Sequence, residues 1–210
     1  MSNSVASPGR PPVLDETKRR ELILQAAEEV FASLGYGDAT MEEIARACGM
    51  AKKSVYKLFP DKPALFRALI QSHDPVDAWV ASPDEAADPR DRLRKLLIGL
   101  AAFILSPRQL ALTRLVISEA RKSPDLADLF YRECMDRAQT LMVERLQPTN
   151  LLSDAADMER KKLLVDVFLG AILGQLHLQA LILDMDQDTL MRQLQIRIDV
   201  ALAALCPPAT

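Results

Sequence analysis

Thr40-Met41-Glu42-Glu43-Ile44-Ala45-Arg46-Ala47-Cys48-Gly49-Met50-Ala51-Lys52-Lys53-Ser54-Val55-Tyr56-Lys57-Leu58 is the stretch on which the reading of this chain turns. It opens on a capping box: the Thr40 hydroxyl can accept from the amide of Glu43, while the Glu43 side chain reaches back to the amide of Thr40. A short helix therefore runs from Met41 to about Cys48. Gly49 permits a tight turn, and a second short helix covers about Lys52 to Leu58. Two short helices joined by a glycine-containing turn, with lysines on the second, match a helix-turn-helix. In that motif the second helix enters the major groove and offers polar side chains to base edges. The surrounding loops and helix starts supply amides, hydroxyls and ammonium groups to phosphates. The same spacing suits an αα-hairpin whose lysines merely solvate a surface.

Working outward, the flanks are helical too. Upstream, residues 1–13 read as a flexible arm, and apolar residues then recur at Leu22, Ile23, Ala27, Val30, Phe31 and Leu34 with the helical period. Gly35 stops that helix. Downstream, Asp61 caps a fourth helix with Pro63 in its first turn, and Pro75 requires a break near Gln71 to Asp74 before the chain resumes ahead of Trp79. Asp88-Pro89 and Ser123-Pro124 are cap-plus-proline starts, and Pro107 separates two further helices. A long helix spans Ser153 to about Leu183 and a last one about Thr189 to Leu205. No window alternates with period two. The fold class is all-α with about nine helices: a helix-turn-helix head over 14–70 and a helical-bundle domain over 71–206.

Composition agrees. The chain has 210 residues, 49% hydrophobic, only 7 glycines and 5% aromatics, enough for a buried core and too poor in turn and strand residues for a barrel or sandwich. Net charge is −3, but residues 1–71 carry 10 basic against 9 acidic side chains, and Lys52, Lys53, Lys57 and Lys62 cluster against Asp61 alone. Cys48, Cys134 and Cys206 lie too far apart for a metal spacing or a disulfide framework, which fits a reducing cytoplasm. No signal peptide precedes the head. Leu163 to Leu183 is 21 residues long, but Asp166, Gln175, His177 and Gln179 within it favour a buried soluble helix over a membrane span.

The residues Ile23, Ala26, Ala27, Phe31, Gly35-Tyr36, Thr40 to Ala45, Gly49-Met50, Val55-Tyr56, Phe59-Pro60, Lys62, Leu65 and Phe66 follow one another at a familiar spacing. On them, Thr17 to Ile70 resembles the DNA-binding head of the tetracycline-repressor (TetR) family of bacterial regulators. Ile117 to Phe130 resembles the AefR-like effector-domain subgroup. The resemblance implies a ligand-responsive regulator, a repressor that binds a pseudo-palindromic operator as a homodimer and is released by a small molecule. It implies that Thr40 and Tyr56 contact phosphate, that Lys52, Lys53 and Ser54 face the groove, and that Lys62 approaches a phosphate from the fourth helix; Lys57, one residue beyond Tyr56, could meet either a base or a phosphate. Three positions depart from the family. Ala51 stands where a capping serine is frequent, Lys53 where glycine is favoured, and Leu58 where an aromatic or histidine is usual.

Elsewhere the candidates are fewer. Gly170 and Gly174 form a G-x-x-x-G that suits a dimer interface or an intramolecular crossing. The helix around them is apolar on both faces, Leu163, Val167, Leu178 and Leu181 on one and Leu164, Phe168, Ile172 and Ile182 on the other. A helix apolar all round must be covered all round, which points to dimerisation through the last two helices. Phe103, Phe130, Cys134 and His177 are candidates for an effector pocket, though each taken singly reads more readily as an ordinary core or structural residue. No H-x-x-x-H, P-loop or G-x-S-x-G occurs, so no cofactor or metal is expected and catalysis is the weaker class. A ligand-binding helical sensor without operator function is the other alternative.

Overall fold

The computed structural model describes residues 15–72, 88–147, 152 and 157–205. Among these the chain is all α: ten α-helical segments, two of them joined by a π-helical turn into one interrupted helix, so nine helices in all, and no strand. Helix α1 (Glu16–Asp38) buries Ile23, Leu24, Ala26, Ala27, Val30 and Phe31 along one stripe. Gly35, at φ 81° and ψ 165°, breaks its helical backbone, and a further turn carries the chain to Asp38. That left-handed conformation is one a side chain resists. Helix α2 (Met41–Ala47) starts on the expected capping box, with Glu43 N donating to Thr40 Oγ1 at 3.2 Å and Thr40 N donating to Glu43 Oε2 at 2.8 Å. Gly49 turns the chain at φ 67°. Helix α3 (Lys52–Leu58) begins at Ala51 without a side-chain cap. Asp61 caps α4 (Lys62–Gln71), accepting from Ala64 N at 2.7 Å. The end of α4 at Gln71 falls where Pro75 requires a break; Pro75 and Trp79 lie outside the described residues.

The remaining helices are α5 (Pro89–Ile104), α6 (Pro107–Glu119), α7 (Pro124–Phe130), α8 (Arg137–Leu146), α9 (Met158–Ile182) and α10 (Gln187–Leu205). Asp88 and Ser106 cap α5 and α6 through their side chains. Ser123 does not cap α7, contrary to expectation; its amide is instead tied back to the Glu119 carbonyl at 2.8 Å. Helix α9 starts later than Ser153: Asp157 accepts from Arg160 N at 2.8 Å and fixes Met158 as the first helical residue. Residues 153–156 lie outside the described residues. Asp186 accepts from Thr189 N at 2.8 Å, and α10 starts at Gln187.

Two hydrophobic cores result, and the first draws residues from both sides of residue 70. The first joins α1 to α4 with Leu112 and Val116 of α6 and Leu126, Leu129 and Phe130 of α7. At its centre Phe31, Tyr36 and Phe66 meet with ring centroids 5.3 to 5.9 Å apart, contacts worth about 0.5–1.5 kcal/mol each beyond their buried area. The second joins α5, α8, α9 and α10 with the start of α6. The π-helical turn Tyr131–Asp136 lies between α7, which packs in the first core, and α8, which packs in the second. By length and apolar composition α9 could cross a membrane. Its Val165, Phe168, Ile172, Leu176 and Ala180 are instead buried in the second core.

Candidate nucleic-acid interface and cavity

The sequence expects its polar contacts around α3, and most of the side chains concerned are exposed. Val55 is the single buried residue of α3, so one apolar anchor holds the helix while Lys52, Lys53, Tyr56 and Lys57 remain exposed and Ser54 half-buried. The lysines are not equivalent. Lys52 pairs with the Glu42 carboxylate of α2 and lies 5.5 Å from the centre of the Tyr56 ring. Glu42's hydrogen bond pulls the Lys52 ammonium pKa up and, reciprocally, the carboxylate's down. Lys53 and Lys57 make no ion pair among the described residues. Thr40 is exposed, but its hydroxyl also donates to Glu43 Oε2 at 2.8 Å, so a phosphate would meet its oxygen only after that proton turns outward.

Lys62 is placed differently from the expectation of a phosphate ligand. Its ammonium donates to the carbonyls of Tyr36 at 2.6 Å, Gly37 at 3.1 Å and Ala39 at 2.8 Å. An ammonium has three protons, and all three are spent closing the end of α1. Burial holds its pKa below the usual lysine value, partly offset by Asp38, Glu119 and Glu43. The same turn is held from the other side by Glu119 of α6, whose Oε2 accepts from Gly37 N at 2.9 Å. A Cβ at Gly37 would stand 2.9 Å from that oxygen, and one at Gly35 3.1 Å from Oε1. Glycines therefore admit the carboxylate, and the turn that leads into α2 is clamped between head and body.

Two further polar ties join head to body. Arg108 of α6 pairs with Glu28 of α1 at 2.9 Å and donates to the Leu69 carbonyl at 3.2 Å. Glu133, on the π-helical turn, receives Arg67 Nε at 3.0 Å on one oxygen and Gln71 Nε2 at 2.9 Å on the other, both from α4. Sequence reasoning missed all of these. They join residues 39 to 82 positions apart, and no local spacing announces such a pair.

A cavity of about 310 Å³ opens where the two cores meet. Ile70 brings α4 to its wall, Phe103 and Leu100 bring α5, Gln109 and Thr113 bring α6, and Leu173 and His177 bring α9. Glu133, Cys134 and Met135 of the π-helical turn complete it. Of the four expected pocket residues, Phe103, Cys134 and His177 are on this wall. Phe130 is not: it closes the buried stripe of α7 and sits in the first core at 6% exposure. His177 is half-buried, and burial holds its imidazole pKa below the usual 6.5. Its Nε2 is buried and has no hydrogen-bond partner among the described residues.

Gly170 and Gly174, expected at a dimer interface, also lie on the cavity wall, where an added Cβ would meet nothing within 4 Å. Among the described residues, both glycines therefore face open space. Among the exposed apolar residues of the described chain, Leu163, Val167, Leu178 and Ile182 lie on α9, 56–71% exposed, and Ile196 and Val200 on α10. Ile182 belongs with this row and not with buried Phe168 and Ile172, while Leu181 is half-buried. Among the described residues no group of three or more His, Cys, Asp or Glu side chains is placed to hold a metal ion.

Comparison with known proteins agrees with this geometry in both halves. Residues 23–69 match the model of bacterial regulatory proteins of the TetR family, and residues 91–184 that of the AefR-like transcriptional repressor C-terminal domain. The HTH-type transcriptional repressor Rv1474c of Mycobacterium tuberculosis is 30% identical over 164 residues, 75% of this chain and 82% of that protein. The HTH-type transcriptional activator FasR of Mycolicibacterium smegmatis is 38% identical over 95 residues, 43% of this chain and 42% of that protein. The crystal structure of a TetR-family transcriptional regulator from Mesorhizobium loti superposes with a TM-score of 0.69 at 25% identity, over 91% of this chain and 98% of that one.

Proposed function

Because the chain belongs to the TetR family of bacterial transcriptional regulators, we infer that it is a ligand-responsive repressor, acting in the cytoplasm as a homodimer on a pseudo-palindromic operator. The observation that carries this reading is the position of the cavity. It lies between the core that contains the DNA-binding head and the core of the remaining helices, with α4 and α9 on one wall. An occupant there bears directly on the helix that ends the head. A ligand shifts such an equilibrium only by its differential affinity for the two head positions, and a cavity shared by both bodies supplies that difference.

On this reading Lys53 and Lys57, exposed and unpaired, reach the duplex with Ser54, Tyr56 and Thr40, and Lys52 joins them once it leaves Glu42. An exposed ion pair is worth only about 0–1 kcal/mol, so a phosphate or base edge can displace the carboxylate. Lys62 holds the α1–α2 turn in place. The exposed rows of α9 and α10 pair with those of a second copy, since contiguous apolar rows of this kind mark interaction surfaces. The test is to select duplexes from the protein's own genome, footprint the protected site and repeat binding across a salt series. A two-fold symmetric footprint whose affinity falls steeply with salt is expected. Equal affinity for selected and random duplex would refute it.

A further inference from the structure

Every charged group on the cavity wall already has a partner. Glu133 is held by Arg67 and Gln71, Asp166 accepts from Gln139 at 2.7 Å, and Arg137 has an interaction of its own. The rest of the wall is chiefly aliphatic, aromatic and sulfur-bearing: Leu100, Phe103, Met135, Leu169 and Leu173 among others. An anion entering here would give up its hydration for Arg137, already engaged, and a cation for Glu133, already paired with Arg67, or for Asp166, which stands exposed to water, so neither recovers what it loses. An uncharged apolar ligand bears no such cost, and a volume of about 310 Å³ is within the range of small-molecule sites.

One wall residue also touches the head. Glu133 stands on a π-helical turn, the kind of local defect that recurs at functional sites because an extra residue per turn reorients the side chains that follow. Here the turn interrupts a helix that begins in the first core and ends in the second. Both carboxylate oxygens are engaged by α4, and the side chain is 22% exposed at the cavity. A ligand donor that takes one of those oxygens, or a ligand body that shifts the turn, acts on Arg67 and Gln71 at once.

We propose that the cavity takes an uncharged, largely apolar ligand, and that Glu133 is the positioning residue through which its presence reaches α4. This rests on the regulator reading and adds to it a ligand class and a residue. The probes are N-phenyl-1-naphthylamine and its sulfonate, 8-anilinonaphthalene-1-sulfonate, which share a ring system and an N–H donor and differ by one negative charge. The neutral amine should bind the full-length protein at least about tenfold more tightly, a difference of about 1.4 kcal/mol. Gly174→Phe, whose side chain enters open space at the wall, should abolish its uptake.

Coupling is then read as the factor by which saturating amine raises the operator Kd, which must equal the factor by which saturating operator raises the amine's Kd. In wild type a factor of several is expected. In Glu133→Gln and, separately, Arg67→Ala it should fall towards one while operator binding without probe persists. Because the factor is a ratio, altered probe affinity in either variant does not disturb it. A wild-type protein that binds no operator would sink the regulator reading itself. With operator binding intact, three results would overturn the inference alone: tighter binding of the sulfonate, a wild-type factor of one, or a factor in both variants equal to wild type.

Discussion

The Lys62 ammonium donates to the Tyr36 carbonyl at 2.6 Å and lies 4.5 Å from the centre of the ring of the same residue. One side chain from α4 thus closes the broken end of α1, and the α1–α2 turn enters the helix-turn-helix at a fixed angle. Replacing it should act on the fold before it acts on DNA. Lys62→Met leaves three carbonyls without their donor and should cost about 1–3 kcal/mol, read as a lower midpoint in urea. The salt slope of operator binding should not change. A slope reduced by about 0.9 per half-site at unchanged stability would show that the ammonium reaches phosphate after all.

Glu119 should matter comparably from the other side of the turn. It is a carboxylate at 8% exposure whose charge-assisted bond to Gly37 N is of a kind worth about 1.5–3 kcal/mol. Glu119→Ala should lower stability by that order, and Gly37→Ala should be destabilising as well, since its Cβ would press on Glu119 Oε2 at 2.9 Å. The double variant Gly37→Ala/Glu119→Ala should cost less than the sum, because removing the carboxylate removes the clash. Strict additivity in urea melts would contradict the contact.

Glu42 restrains DNA binding if Lys52 must leave it to reach the duplex. Glu42→Gln removes a negative charge from the DNA-facing end of the head and releases the Lys52 ammonium. Operator affinity should rise by up to about fivefold, the range of an exposed pair. Lys53→Ala, with no intramolecular pair to break, should instead cost about 1–3 kcal/mol and relax preference at one operator position. Titration of both variants on operator and single-base variants checks this; weaker binding by Glu42→Gln would reverse the assignment.

The uncovered row on α9 predicts an assembly defect without a folding defect. Val167 and Leu178 are 64% and 56% exposed in the protomer, so Val167→Asp/Leu178→Glu adds charge where this chain offers no packing partner. Sedimentation should report a monomer where wild type is a dimer, with an unchanged helical circular dichroism spectrum and sharply weakened operator binding. A double variant that still sediments as a dimer would move the interface off this row.

His177 gives stability a pH dependence whose sign is fixed. Burial lowers its folded pKa below the unfolded value near 6.5, so the unfolded chain binds the extra proton first. The stabilising contribution of the neutral ring is complete above about pH 6.5 and is lost as pH falls through the window below it, down to the depressed folded pKa. The other ionisable groups on the cavity wall are Tyr131, Glu133, Cys134, Arg137 and Asp166, and burial alone accounts for the shift of His177. His177→Gln should flatten the loss of stability between pH 6.5 and 5 in urea melts. An unchanged pH profile would place the titrating group elsewhere.

What the amino-acid sequence determined by itself is what short-range physics controls. The capping box at Thr40 and Glu43, the left-handed glycines 35 and 49, the Asp61 cap and the proline starts are each settled within four residues. Their order therefore sufficed to read nine helices and a helix-turn-helix head. The tertiary structure decided the rest. Lys62 looks like a surface cation until the carbonyls of Tyr36, Gly37 and Ala39 are brought to it. Gly170 and Gly174 give no local sign of the cavity in front of them, and Phe130 looks like a pocket residue until the stripe of α7 turns it into the head's core. Glu133 carries no local signal at all, because its partners Arg67 and Gln71 lie more than 60 positions away. Caps and turns are local hydrogen bonds, legible in order of residues; clamps, cavities and couplings are contacts between distant segments, and those exist only once the chain has packed.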